Sequence, residues 1–185
     1  MAGLRKISDY APKAGWRYLI ALGSNQRHHR HGTPAKVLRA ALAALEAAGA
    51  GRVESVAPII ASAPLGPSLR TYANGAAVVF SDLMPDDMLQ ALKSTELAFG
   101  RKQGGRRWAA RVLDLDIVLW NGGKWRSDGL FVPHIAFRTR AFVLGPARAI
   151  APNWRDPVTA LRISQLHARL TRPRHLPRGS AWSGL

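Results

Sequence analysis

The stretch Val112-Leu113-Asp114-Leu115-Asp116-Ile117-Val118-Leu119-Trp120 alternates apolar and acidic residues and then turns continuously apolar. A period of two belongs to a β-strand, so Leu113, Leu115 and Ile117 are expected in a core while Asp114 and Asp116 project together from the other face. Two like charges on one face are unfavourable unless a cation lies between them, and hard divalent magnesium takes oxygen ligands of this kind. An Asp-x-Asp pair alone also fits an exposed, solvated strand edge. The residues around it narrow the choice.

Upstream, Arg101-Lys-Gln-Gly-Gly-Arg-Arg-Trp-Ala-Ala-Arg111 holds five basic residues, no acid and two adjacent glycines. This composition predicts a mobile basic loop that closes over a substrate. Before it, Pro85-Asp86-Asp87 opens a helix whose Met88, Leu89, Leu92, Thr95, Leu97 and Phe99 form an apolar side ending at Gly100. Arg52 to Ala61 and Tyr72 to Phe80 are apolar and β-branched enough for strands, with Ala63-Pro64-Leu65-Gly66-Pro67 a stiff loop between them. Thr33-Pro34 reads as a helix start, and Val37, Leu38, Ala41, Leu42 and Leu45 recur at helical spacing until Gly49 and Gly51. Arg17-Tyr-Leu-Ile-Ala-Leu22 reads as a buried strand ended by Gly23-Ser24-Asn25. Downstream, Phe131-Val-Pro-His134 and Phe142-Val-Leu144 read as short extended pieces, and Pro146 to Ala151 as a short helix.

The order β, α, β, β, α, β predicts an α+β, ferredoxin-like sandwich, a mostly antiparallel sheet with helices packed on it. A single domain is expected over residues 1–165, followed by a basic, poorly ordered tail at 166–185. With 185 residues, 47% of them hydrophobic, the chain can bury one core. It has no cysteine, which excludes disulfides and thiolate metal sites. No apolar run of about 18 residues and no signal-like N-terminus are present, so we expect a cytoplasmic protein without a membrane partner.

The net charge of +16 calls for an anionic partner, and both nucleic acid and polyphosphate qualify. The charge lies in two places, the Arg101–Arg111 segment and the chain from Arg138 onward, where nine arginines face the single Asp156. His28, His29 and His31 crowd the loop 26–32, which we read as a solvated turn because no acid or cysteine accompanies them. A paired carboxylate beside a cationic loop suits a metal–phosphate complex: the metal satisfies the acids, and arginine forks satisfy phosphate oxygens. No Walker loop is present, since Gly122-Gly-Lys124 is followed by Trp125, so side chains must grip the phosphates.

The run Arg107-Trp-Ala-Ala-Arg-Val-Leu-Asp-Leu-Asp116, preceded by Glu96 and Gly100-Arg101 and followed by Val132-Pro-His134, resembles the signature of the 6-hydroxymethyl-7,8-dihydropterin pyrophosphokinases. Ala21-Leu-Gly-Ser-Asn25, Ala63-Pro-Leu-Gly66, Tyr72-Ala-Asn74 and Arg140-Ala-Phe-Val-Leu144 are similar to that family in sequence and order, over roughly residues 17 to 153. The resemblance implies transfer of pyrophosphate from ATP to the hydroxymethyl group of the pterin, giving AMP and the pterin diphosphate, a step of folate biosynthesis. It implies that Asp114 and Asp116 hold two magnesium ions, with Asp114 also orienting the hydroxymethyl group or accepting its proton. Ser62, Leu65, Tyr72, Asn74, Trp108 and Phe142 would meet the pterin. Glu96, Arg101, Arg107, Arg111, His134 and Arg140 would serve ATP, with Arg101 and Arg111 assisting catalysis.

The chain departs from the family at Gln103, where a second loop arginine is common, at Gly104-Gly105, at Ala109-Ala110 in place of Gly-Pro, and at Lys93, where an uncharged amide is frequent. The His-rich loop and the basic tail have no counterpart. A monomer is expected. The competing reading, a basic module that binds RNA or DNA, conflicts with carboxylates inside the most basic segment, so nucleic acid is not expected as the main partner.

Overall fold

The computed structural model describes residues 15–63, 71–100 and 111–173. In chain order its elements are β1 (Trp16–Ser24), α1 (Pro34–Ala47), β2 (Arg52–Val56), β3 (Ile60–Ser62), β4 (Tyr72–Ser81), α2 (Pro85–Ala98), β5 (Asp114–Trp120), β6 (Trp125–Ser127), β7 (Leu130–Val132), α3 (Ala141–Ile150) and α4 (Ile163–Thr171). The main sheet runs β2-β4-β1-β5, with β3 also on β4, and every pairing is antiparallel. This is the split β-α-β arrangement predicted from the alternation of elements, and it makes β1 central.

Period-two alternation on β1 then fills two cores. Tyr18, Ile20 and Leu22 face α1 and α2, together with Val37, Leu38, Leu45, Met88 and Leu92. Leu19 faces the opposite side, with Phe137, Val143, Leu144, Ile163 and Leu166 of α3, α4 and the 3-10 turn Phe137–Thr139. The sheet is covered on both faces, one more helical layer than a plain two-layer sandwich.

Four expectations change. The strand read over 52–61 is two strands, because the register slips between Val53 and Ser55 and the chain leaves the ladder before β3. Phe142-Val-Leu144 is helical: Val143, Leu144 and Ala147 share one buried side, a helical spacing too short to stand out beside Pro146. The tail boundary at 165 falls inside α4, where Ile163 and Leu166 are buried on a stripe that the surrounding arginines obscure. On α2, Leu97 is exposed and Glu96 is the buried residue. In the His-rich loop, His28 bridges to Gly32, and the ring of His31 stacks on Phe99 at 4.7 Å between centroids.

Candidate active site

Three neighbouring strands deliver the site through their register. Gly23 of β1 lies opposite Asn74 of β4 on one side and Asp114 of β5 on the other, and Ala21 lies between Ala76 and Asp116 in the same way. The small central residues leave a floor flanked by Asn74 and the two carboxylates. A Cβ on Gly23 would already lie 3.6 Å from the Asn74 side-chain oxygen and 3.8 Å from Asp114 Cβ. Above this floor is a cavity of about 410 Å³, whose walls include Ser62, Tyr72, Asn74, Arg111, Asp114, Asp116, His134, Arg140 and Phe142. Asn74 is buried and its amide donates to Ser62 Oγ at 2.7 Å, so one wall is prearranged.

Two residues outside the cavity wall fix the carboxylate strand. Glu96 is 2% exposed, and its Oε1 accepts the backbone N–H of Leu115 at 2.7 Å, which holds the peptide between the two aspartates. Asn25 brackets Arg111: its N–H donates to the Arg111 carbonyl at 3.1 Å, and its Oδ1 accepts the Arg111 N–H at 2.7 Å. Thus Arg111 emerges beside Asp114, and its Nη1 donates to Asp114 Oδ1 at 2.6 Å.

The electrostatics single out one carboxylate, Asp116. Burial, and then the charge of Asp114, raise the Asp116 carboxyl above its ordinary range, against the pull of His134, Arg140 and Arg111. Burial pushes His134 below the usual imidazole range while Asp116 opposes it. Its Nδ1 accepts the Ala136 N–H at 3.2 Å, so the neutral ring carries its proton on Nε2. Arg111 is raised although burial acts the other way, because Asp114, Asp116 and Glu96 favour its charge.

Of the residues expected from sequence, Asp114, Asp116, Arg111, Ser62, Tyr72, Asn74, His134, Arg140 and Phe142 share this cavity. Glu96, expected to serve ATP, is placed beneath β5 instead of on the wall; its position at i, i+4 from Leu92 and i, i−3 from Phe99 on the buried side of α2 signals that place. Leu65, Arg101, Arg107 and Trp108 lie outside the described residues, as does the expected closing loop apart from Arg111. From sequence Asn25 ends a strand-terminating turn and belongs to the Ala21–Asn25 run that resembles the family, and nothing local reveals its partner 86 positions away.

A paired carboxylate, three cationic or imidazole side chains and two aromatic walls around one small cavity define an enzyme that handles a phosphorylated compound together with a flat ring. Residues 19–152 match the family model described as 7,8-dihydro-6-hydroxymethylpterin-pyrophosphokinase (HPPK). The chain is 39% identical over 142 residues to the 2-amino-4-hydroxy-6-hydroxymethyldihydropteridine pyrophosphokinase of Pseudomonas aeruginosa, covering 76% of this chain and 84% of that one. Against the Haemophilus influenzae enzyme of the same name it is 35% identical over 135 residues, covering 72% and 81%. The fold is also that of Plasmodium falciparum HPPK-DHPS, with a TM-score of 0.63 at 12% identity over 86% of this chain, which spans 42% of that longer one.

The chain belongs to the HPPK family. It is a pyrophosphokinase that uses ATP as co-substrate and transfers pyrophosphate to the hydroxymethyl group of 6-hydroxymethyl-7,8-dihydropterin, releasing AMP, in folate biosynthesis.

Proposed function

We propose that this transfer takes place in the 410 Å³ cavity, with the pterin between Tyr72 and Phe142 and the triphosphate toward Arg111, His134 and Arg140. The carrying observation is that the aromatic walls, Asn74 and both aspartates line one cavity. Asn74 and Ser62 supply a fixed donor and acceptor pair against a ring edge, so a pterin lacking the matching groups would leave them unpaired.

Asp114 and Asp116 are the groups we assign to two magnesium ions. The donor set fits a hard cation: both side chains are carboxylates, and Asp116 carries charge that its surroundings disfavour. Held by Asp114 and Asp116, magnesium would supply neutralisation of the charge on the transferred group. Arg111 donates from Nη1 to Asp114 in this structure and lines the same cavity, so it can move from carboxylate to phosphate without leaving its backbone anchor. The neutral His134 offers Nε2–H, and Arg140 offers a second cation on that wall.

The pterin hydroxyl oxygen bonds to the β-phosphorus of ATP, the bond from that phosphorus to the α–β bridging oxygen breaks, and AMP leaves with the electron pair. Asp114 is positioned to orient the hydroxyl or to take its proton. Rate comes from positioning and charge neutralisation, with no covalent enzyme intermediate. ATP as co-substrate supports a cytoplasmic address.

Asp116→Ala tests the assignment. We expect AMP formation from ATP and the pterin to fall by about two orders of magnitude at saturating magnesium, with the melting temperature not lowered. A variant retaining more than about a tenth of the parent rate would remove Asp116 from the metal site.

A further inference from the structure

The strongest cationic feature that the reaction does not use is a row of arginines on the outer side of α4. Arg155 and Arg162 lie opposite each other across an isolated antiparallel bridge, two like charges in register. Arg162 precedes α4, Arg169 lies in its last turn and Arg172 follows it. At roughly 100° per residue these three fall within a sector of about 80° that flanks the stripe of buried Ile163 and Leu166, and they extend the row by about 15 Å. All four side chains are exposed, and among the described residues none has a carboxylate partner. After Asp128 the only acid in the chain is Asp156, and Arg138 already takes both its oxygens.

Like charges facing each other without a carboxylate between them destabilise a fold slightly, and an anion from outside would relieve that. From Trp125 to the end of the chain every strongly basic residue is arginine and none is lysine. Arginine forks match the geometry of phosphate oxygens, whereas an ammonium is a point charge. A linear row suits successive phosphates along a strand. A lipid surface would call for several apolar residues among the cations; among the described residues only Val158, 57% exposed in the loop between Arg155 and Arg162, and Leu170, 37% exposed and about 80° or more around the helix from the arginines, lie beside the row.

We propose that the arginine row Arg155-Arg162-Arg169-Arg172 is a docking track for the phosphate backbone of single-stranded nucleic acid, separate from the catalytic cavity. It reads backbone and not sequence, so its affinity depends on salt.

Fluorescence anisotropy with the full chain and a labelled single-stranded RNA of mixed sequence tests this. Four phosphate contacts predict that log K falls against log salt with a slope of about −3 between roughly 50 and 200 mM. The triple variant Arg162→Gln/Arg169→Gln/Arg172→Gln should weaken binding at least about tenfold and flatten that slope toward about −1. Lys36→Gln/Arg39→Gln/Lys93→Gln removes the same charge from exposed positions on α1 and α2, across the sheet, and should change binding by less than about twofold. Both variants should keep the parent rate of AMP formation and the parent melting temperature. Equal losses for the two triples would mean that net charge and not this row attracts the RNA, overturning the proposal. Absence of salt-dependent RNA binding would overturn it too, as would retention on phosphatidylserine vesicles that the RNA does not compete away.

Discussion

Two arginine–aspartate pairs stand in different parts of this molecule, and they are built differently. At the end of the α3 and α4 layer, Arg138 donates from Nε and Nη2 to the two oxygens of Asp156, each at 2.7 Å. The Thr159 hydroxyl and the Val158 N–H complete the carboxylate, and Asp156 is fully buried. Burial alone would raise this acid, but those donors hold it down at about 2. At the mouth of β5, Arg111 meets Asp114 through one oxygen at 2.6 Å, with both side chains partly exposed, and Asp116 beside them is raised. One region ties its charge up in a complete set of donors; in the other, burial and Asp114 disfavour the charge on Asp116. A raised carboxylate beside a cavity, against a depressed one inside the fold, is the difference on which the proposed ligand role of Asp114 and Asp116 rests.

The largest effect expected is on stability. Asp156→Ala leaves Arg138, Thr159 and the Val158 N–H without their acceptor, and breaking a buried pair by removing one partner costs about 3 kcal/mol. Denaturant titration should show that loss, while kcat per folded molecule stays within about twofold of the parent, because Asp156 is not on the cavity wall. A variant that keeps its stability but loses turnover would reverse the two regions' roles.

Arg111→Ala should do the converse. The anchored backbone remains, no core volume is lost, and kcat should drop about a hundredfold, near 2.7 kcal/mol, with a much smaller rise in KM for ATP. Steady-state kinetics separates the two constants. A raised KM with unchanged kcat would make Arg111 a ground-state phosphate contact only.

The contrast was partly legible in the sequence. Asp114 and Asp116 announce themselves by strand alternation, and Arg111 by its place in a basic segment three residues away. The Leu115 N–H bond to Glu96 and the Asn25 bracket around Arg111 span 19 and 86 positions and have no local signature, since each uses a residue type that also suits a helix surface or a turn. The Asp156 network was hidden for a related reason. Its arginine partner is 18 positions away, in a stretch where arginine is so frequent that no single one stands out, and the same excess disguised the apolar stripe of α4. Helix and strand periods survive in sequence because they are local; the burial of a charge depends on what the rest of the chain brings over it.

The smallest effect expected is on the acid limb of stability, and its sign separates the two regions once more. The folded Asp156 carboxyl sits at about 2, below an unfolded aspartate near 3.9. A depressed folded value contributes stability that is fully present above the unfolded value and is lost as pH falls through the folded one, so the window runs from about pH 4 down to about pH 2. Arg138 is partly exposed, so the contribution is on the order of 1 to 2 kcal/mol after allowing for solvent screening. Asp156→Asn should therefore be less stable than the parent at pH 7, and the gap should close across that window. For Asp116 the shift is upward, so its ionised form opposes folding. In magnesium-free buffer Asp116→Asn should raise the melting temperature at pH 7, with the gain shrinking as acid protonates the parent, because neutralising that side chain removes a charge the empty cavity disfavours. Thermal melts of the two variants from pH 7 to pH 2 give the two signs directly. If both asparagine exchanges destabilised the protein at pH 7 by similar amounts, Asp116 would be a satisfied structural acid like Asp156, and the open charge assigned to the cavity would have to be given up.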